Sequence, residues 1–216
     1  MATTTAKARA GGRGHARTRL LDAAVRLVRQ KGFAATTVDD LCAAAGVTKG
    51  AFFHHFPSKD ALGEAAADYW SATTGALFAS APYHAHADPL DRVLAYLAFR
   101  RDLLAGDVSE FTCLVGTMVQ ETHASKPGIR DACDASISGH AETLEADIEA
   151  AIAGRGLEPD GWDAPGLALH TQAVLQGAFI LAKAKGNAAV AAASIDHLRR
   201  YIELLFQSPG RTAHHE

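Results

Sequence analysis

The chain contains 216 residues, of which 48% are hydrophobic and 21% are charged, and its formal net charge is −3. The hydrophobic fraction is enough for a sizeable core, and the charged fraction is typical of a soluble protein. No apolar run approaches the ~18 residues that a membrane-spanning helix needs, and the basic N-terminal segment lacks the apolar centre of a signal peptide.

The N-terminal part of the chain is basic. Residues 1–60 contain ten Lys and Arg against four Asp and Glu, whereas the other 156 residues contain eleven against twenty. Such an asymmetry is expected of a DNA-binding head on an acidic body, with a basic tail on an unrelated fold as the alternative. Residues 1–14 are predicted to be a flexible basic arm. A helix is predicted from 16 to 30, ending at Lys31 and Gly32.

The stretch from Thr37 to Lys59 has the pattern of a helix-turn-helix. Thr37 is a hydroxyl N-cap in front of a short apolar helical face. Gly46 lies where a helix ends in the left-handed conformation that glycine tolerates best. Thr48 then caps a second short helix, predicted over 49–54. Because two such helices bury little by themselves, their usual purpose is to present the second one to the major groove of DNA.

The rest of the chain also has helical periodicity, and no run alternates as a strand does. The fold class is therefore predicted to be all-α with about nine helices. After the helix-turn-helix, the predicted helices cover 59–78, 89–104, 111–122, 127–153, 164–185 and 189–206, with a connector at 81–88 and a tail at 211–216.

Three cysteines, Cys42, Cys113 and Cys133, form neither a disulfide framework nor a zinc-binding spacing. Three cysteines without a disulfide pattern suit a protein of the reducing cytoplasm, which is the expected location. His84 and His86 lie in the connector, and their spacing matches no specific metal pattern. We therefore predict no metal site and no cofactor.

The N-terminal pattern resembles the tetracycline-repressor-type (TetR) family of bacterial regulators. Its signature is a first helix ending in KGF, then TTVDDLCAAAGVTKG, an aromatic-rich FFHHFPSK and a long linking helix. The resemblance covers residues 16 to about 65. It implies a three-helix DNA-binding domain at 15–60 and a helical effector-binding and dimerisation domain at 61–210.

The resemblance also implies the DNA contacts. Small Gly50 allows a close approach to base edges, and Phe53 stands where the family pattern usually has tyrosine. Without the hydroxyl, the Phe53 ring is a candidate for contact with a thymine methyl group. The implied DNA-binding residues are Thr37, Thr48, Lys49, Gly50, Phe53, His54, His55 and Lys59. Phe52 and Phe56 are predicted to be core.

The last two predicted helices combine small and large apolar residues, and the resemblance implies that they form a four-helix bundle with a second copy of the chain. The predicted interface consists of Ala173, Gly177, Ala178, Leu198, Ile202 and Leu205. An apolar effector pocket is predicted from Trp70, Phe99, Phe111, Cys113, Met118, His123, His170 and Phe179.

The sequence therefore favours a ligand-responsive repressor, a homodimer on a palindromic operator that is released by a small apolar or aromatic effector. Two alternatives stay open, a repressor that senses oxidants or electrophiles through Cys113 and a DNA-binding protein without an effector. No phosphate-binding loop, nucleophile elbow or pair of carboxylates points to an enzyme.

Overall fold

The computed structural model describes residues 4–207, and it describes side chains from residue 15 onward. Every regular element in this part of the chain is helical, which confirms the all-α class. The predicted tail at 211–216 lies outside the described residues. A 3-10 turn covers Pro82–Ala85, and the described α-helices are α1 (Thr4–Lys31), α2 (Val38–Ala45), α3 (Lys49–His55), α4 (Lys59–Ala79), α5 (Pro89–Asp102), α6 (Val108–Phe111), α7 (Leu114–Thr122), α8 (Pro127–Gly154), α9 (Ala164–Lys185) and α10 (Ala189–Gln207).

The chain forms two compact units. The first contains the residues up to Thr74 together with Cys113–Ser136, and the second contains Gly75–Thr112 together with the residues from Ile137 onward. The predicted domain boundary at residue 60 assigned all residues before it to one domain and all residues after it to the other. Packing instead places α7 and the first part of α8 in the same unit as the N-terminal helices.

The first unit is built around α1, which contacts α2, α3 and α7. Gly63 of α4 marks a close approach in its core, because an added Cβ atom would lie 2.8 Å from Ile129 and 2.9 Å from Phe33. The large side chains fully buried in this unit are Leu20, Leu21, Leu41, Phe52, Leu62, Leu114, Met118 and Ile129.

The second unit is organised by the pair α9 and α10, and α10 also packs against α5. The Asp163 carboxylate caps α9 by accepting the Gly166 N–H, and α9 ends at Gly186 in the left-handed conformation (φ 66°). Arg92 of α5 forms an ion pair of 2.7 Å with Asp147 of α8. The buried side chains of the second unit include Tyr96, Leu97, Ile148, Leu175, Ile195 and Ile202.

Two helix boundaries differ from the prediction. Helix α1 begins at Thr4 rather than near residue 16, so residues 4–14, predicted as a flexible arm, have a helical backbone. The predicted start rested on apolar periodicity, which begins only near residue 16 and therefore could not locate a helix start in the polar, glycine-containing stretch before it. The predicted helix at 111–122 is interrupted, because Thr112 (ψ 157°) and Cys113 (ψ 130°) are both extended.

No helix among residues 4–207 is both long and apolar enough to cross a membrane. In the same part of the chain, His, Cys, Asp and Glu side chains form no group of three or more that could hold a metal ion.

Candidate DNA-binding and effector sites

The first helix of the helix-turn-helix, α2, is closed at both ends by its own residues. The Thr37 hydroxyl accepts the Asp40 N–H, and the Asp40 carboxylate accepts the Thr37 N–H, which forms a capping box. At the other end Gly46 is left-handed (φ 61°, ψ 44°), and its N–H bonds to main-chain carbonyls of the last turn. The tight turn therefore depends on a glycine at this position.

Helix α3 is anchored by one aromatic side chain. The Thr48 hydroxyl accepts the Ala51 N–H, which caps the helix. Phe52 is fully buried, and Phe56 directly after the helix is also buried, which confirms both as core. The two rings lie 6.0 Å apart between centroids. Since only Phe52 of the seven α3 residues is buried, most of the helix surface is available to a partner.

The outer side of α3 carries the residues that were predicted to read DNA. Gly50 and His54 are exposed, and His55 is half-buried. Phe53 is 54% exposed although it is a large apolar residue. Its ring makes an edge contact with Phe52 at 5.1 Å, so the backbone and the core below hold it in place. The Phe53 ring is therefore accessible to a partner while its position is fixed from below.

Lys49 at the start of α3 pairs with Asp39 of α2 across 2.8 Å. Both side chains are largely exposed, so the pair is screened by solvent and weak. Hydrogen bonding to Asp39 raises the pKa of Lys49, which keeps the ammonium charged. The Lys49 ammonium is thus charged and exposed at the start of α3.

Lys59 differs from its predicted role as a phosphate contact. Its ammonium donates to the carbonyl oxygens of Phe33 (3.0 Å), Ala34 (3.4 Å) and Thr36 (3.0 Å). It also lies 4.5 Å from the centre of the Phe33 ring. These bonds match the three N–H donors of an ammonium group, so Lys59 holds the loop between α1 and α2 instead. Burial lowers its pKa.

Two arginines of α1 lie beside the helix-turn-helix, and neither was predicted as a contact. The Arg17 guanidinium is 5.3 Å from the ring of Phe56, just after α3. A guanidinium nitrogen of Arg19 lies 3.9 Å from where a Cβ atom would stand on Gly46. Both side chains are exposed. The sequence signal was the positive charge of α1, but only packing shows which of its arginines face the turn.

Helix α7 and the residues that follow it contact the segments on either side of the helix-turn-helix through two polar interactions. The Glu121 carboxylate accepts the Ala34 N–H at 2.7 Å, in the loop that Lys59 also holds. Lys126, between α7 and α8, pairs with Asp60 at the start of α4 across 2.6 Å. The segment from α7 to α8 is therefore attached to both ends of the helix-turn-helix.

Four of the predicted effector residues lie in the first unit, and they do not form one cluster. Met118 is fully buried and packs as core against α1 and α4. Trp70 lies under the Arg29 guanidinium at 5.0 Å. His123 is exposed. Cys113 is half-buried at the N-cap of α7, where its sulfur accepts the Gly116 N–H at 3.5 Å.

The other four predicted effector residues lie in the second unit, where two of them contact each other. The Phe111 and Phe179 rings are 6.4 Å apart. Phe99 makes an edge contact with Phe78 at 5.6 Å. His170, in contrast, is exposed and contacts Tyr201 on the α9 and α10 pair.

A polar network that was not predicted runs between α5, α8 and α9 of the second unit. The Gln172 amide donates to the buried Tyr96 hydroxyl at 3.2 Å, and that hydroxyl lies 3.0 Å from Nε2 of His140. Burial, helped by the charge of Arg100, lowers the pKa of His140 to about 4, so its imidazole is neutral at pH 7. Nothing in the sequence indicates that isolated polar residues on three different apolar helices are in contact.

The predicted dimer interface needs correction. Ala178, Leu198 and Ile202 are buried within the chain itself, because they form the contact between α9 and α10 and the core beneath it. Ala173 is exposed, while Gly177 and Leu205 are half-buried. The exposed apolar side chains of the two helices are instead Leu169, Ile180, Leu181, Tyr201 and Leu204. Helical periodicity identified apolar helices but not which of their faces points outward.

Comparison with known proteins agrees with this geometry. A sequence profile described as "Bacterial regulatory proteins, tetR family" matches residues 20–66, and one described as "Tetracyclin repressor-like, C-terminal domain" matches residues 89–198. The "HTH-type transcriptional repressor KstR2" of Rhodococcus jostii is 45% identical over 51 residues, which are 24% of this chain and 25% of that repressor. The "Transcriptional regulator AcuR" of Cereibacter sphaeroides is 28% identical over 113 residues, 52% of each chain. The chain thus spans only a quarter to a half of the length of these two relatives.

A solved structure extends the likeness to the fold. A TetR transcriptional regulator from Chloroflexus aurantiacus superposes with a TM-score of 0.76 at 28% identity, covering 89% of this chain and 96% of that one. The fold and the exposed α3 define a helix-turn-helix regulator of transcription. The chain belongs to the TetR family of bacterial regulatory proteins. Regulators of this family bind operator DNA and act as dimers, and a response to a ligand is typical of them.

Proposed function

We propose that the protein is a repressor that binds a palindromic operator as a homodimer and releases it when a small-molecule effector binds. The observation that carries the proposal is the two-sided character of α3. Phe52 fixes the helix to the core, while Gly50, Phe53 and His54 face outward. A helix anchored in this way suits insertion into the major groove.

Each group on this surface has a role in the proposal. Gly50 allows the backbone to approach base edges, and the Phe53 ring contacts a thymine methyl group. Lys49, Arg17 and Arg19 contact phosphates, which contribute affinity and register rather than sequence readout. The Lys49 contact replaces its ion pair with Asp39.

Dimerisation uses the exposed apolar face of α9 and α10. Leu169 and Ile180 lie on α9, and Tyr201 and Leu204 lie on α10. Packing this face against its two-fold copy forms a four-helix bundle and removes the exposed side chains from water. In the DNA-bound dimer the two α3 helices lie about 34–36 Å apart, the separation of successive major grooves.

Effector binding acts through a change in the populations of two dimer conformations. Helices α4 and α8 each have residues in both compact units, and the α7 segment is attached to the helix-turn-helix through Glu121 and Lys126. An effector that binds the non-DNA-binding conformation better by ~1–3 kcal/mol gives the coupling typical of allostery.

A thiol sensor at Cys113 is the second candidate. Its side chain is half-buried, and its sulfur accepts the Gly116 N–H at the start of α7 at 3.5 Å. Cys133 is fully buried, and burial raises its pKa to about 12, which makes it inert. Replacing Cys113 with serine keeps an N-cap acceptor. If oxidants still release the Cys113→Ser protein from DNA, this candidate is eliminated.

The proposed function is tested by selecting bound DNA from a random pool with the purified protein. We expect enriched sites with two-fold symmetry and half-sites about one helical turn apart. A Phe53→Ala, Lys49→Ala double variant with an unchanged melting temperature serves as the control and should enrich no motif. Enrichment of asymmetric sites, or of none at modest ionic strength, would contradict the proposal.

A further inference from the structure

Arg100 of α5 is a half-buried guanidinium surrounded by aromatic rings of the second unit. Its central carbon lies 5.1 Å from the ring centroid of Phe78, 5.9 Å from Tyr96 and 5.7 Å from Phe179. Within residues 15–207, no carboxylate lies at ion-pair distance from Arg100, and none of its N–H groups donates a hydrogen bond.

The nearby arginines of the same unit are different. Arg92, Arg101 and Arg155 each pair with an aspartate, at 2.7, 3.1 and 3.0 Å. A guanidinium stays charged at any physiological pH and has five N–H donors. Removing such a charge from water without a partner costs free energy, and aromatic rings offset only part of that cost. An anion that reaches the half-buried guanidinium would accept hydrogen bonds from these donors.

The groups around Arg100 limit the charge of that anion. The Tyr96 hydroxyl and the Gln172 amide are neutral, and His140 is uncharged at neutral pH because burial and Arg100 lower its pKa. The site thus carries a single positive charge. A carboxylate matches one guanidinium in charge and in its two-pronged geometry, whereas a phosphate dianion requires a second cation.

The rings around Arg100 indicate the rest of the molecule. Phe111 extends the apolar surface from Phe179, and Phe99 extends it from Phe78. Phe78 and Phe179 belong to the buried core, whereas Phe99 and Phe111 are half-buried. An apolar, planar body can therefore contact the rings of Phe99 and Phe111 while its charged end reaches the guanidinium. Ligand sites commonly combine such an apolar lining with a few polar groups that set orientation.

We propose that Arg100 binds the carboxylate of a monoanionic effector whose planar apolar body packs against the half-buried rings of Phe99 and Phe111. The inference rests on the proposed ligand-responsive function and changes the expected effector from an apolar molecule to an apolar acid.

The test is calorimetric titration of the full-length protein, without DNA, with benzoate, trans-cinnamate and 4-phenylbutyrate and with the carboxamide of each. We expect at least one acid to bind about ten- to a hundredfold more tightly than its amide, since a charge-assisted hydrogen-bonded pair is lost in the amide. Arg100→Met should abolish that preference. Arg101→Met, one residue along α5, removes a guanidinium that already pairs with Asp196 and should keep it.

Thermal unfolding of each variant shows whether it is folded. If Arg100→Met does not fold, Arg100→Lys keeps a charge, loses the two-pronged contact and should bind the acid more weakly than the wild type. The inference is wrong if no acid is preferred to its amide, or if the folded Arg100 variant keeps the preference. DNA selection is independent of this result, so a protein that binds symmetric sites but prefers no acid overturns only the effector assignment.

Discussion

The Glu121 carboxylate of α7 accepts a hydrogen bond of 2.7 Å from the Ala34 N–H, although the two residues are 87 positions apart. Ala34 lies in the loop between α1 and α2, and the Lys59 ammonium of α4 binds carbonyl oxygens of the same loop. The loop that precedes the helix-turn-helix is therefore held by two helices that follow it in the chain. Its conformation is linked to the packing of α7.

Replacing Glu121 with alanine should release this loop. We expect the free energy of unfolding to fall by about 1 kcal/mol, the usual contribution of one hydrogen bond. Amide hydrogen exchange at Ala34 should become faster, because its N–H loses its acceptor. Glu142→Ala, at an exposed position of α8, is the control and should change neither quantity. Unchanged exchange at Ala34 in Glu121→Ala would show that the contact does not order the loop.

Lys49 and Lys59 should respond oppositely to removal of their charge. Lys49→Ala should leave stability almost unchanged and should reduce the slope of log affinity against log salt by about one, because one phosphate contact is lost. Lys59→Met should lower stability by about 1–3 kcal/mol, since three carbonyl oxygens lose their donor. Salt-dependent DNA binding and denaturant unfolding separate the two effects. A stable Lys59→Met protein with a reduced salt slope would return Lys59 to the DNA contacts.

Phe52 and Phe53, which are adjacent in α3, provide a matched pair of alanine substitutions. Phe52→Ala removes a fully buried ring and should destabilise the protein by about 3–5 kcal/mol. Phe53→Ala removes a ring that is 54% exposed and should change stability by less than about 1 kcal/mol. The Phe53 variant should instead lose affinity for selected operator sites and keep its weaker binding to random DNA. Equal losses for both kinds of DNA would mean that Phe53 does not read bases.

His140 should make stability depend on pH between about 6.5 and 4. Its pKa is lowered to about 4 in the folded protein, from 6.5, mainly by burial. In that window the unfolded chain binds a proton that the folded protein does not, so the free energy of unfolding falls as the pH falls. The His140 contribution is about 3 kcal/mol at most. As the pH falls through this range, the wild type should lose up to about 3 kcal/mol of stability relative to His140→Gln, and an unchanged difference between their unfolding free energies would contradict the assignment.

A substitution at Leu204 tests whether the exposed apolar face of α9 and α10 forms the dimer interface. Leu204 is 61% exposed on α10, and Leu204→Asp places a charge in the proposed bundle, where burial of an unpaired carboxylate is costly. We expect sedimentation to show a shift from dimer to monomer together with loss of operator binding. Leu77→Asp, at a leucine of α4 that is 44% exposed, is the control and should remain dimeric. Monomers in both variants would indicate general destabilisation instead.

The candidate DNA-binding site was largely predictable because its signals are local. Thr37, Gly46 and Thr48 act through hydrogen bonds and dihedral angles within a few residues, and the structure has each of them in the expected capping role. The packing of α9 and α10 was not predictable to the same extent. Leu198 and Leu204 are equally apolar and lie on the same helix, yet the first is buried and the second is exposed.

The amino-acid sequence by itself determined the helical class, the helix-turn-helix and its position, because caps, glycine turns and helical periodicity operate over short distances along the chain. Only the tertiary structure decided that Lys59 binds a loop, that Glu121 reaches Ala34, and that Arg100 lies among aromatic rings with no carboxylate of residues 15–207 at ion-pair distance. Those relationships join residues far apart in sequence. They depend on how whole helices pack, and no local pattern encodes them.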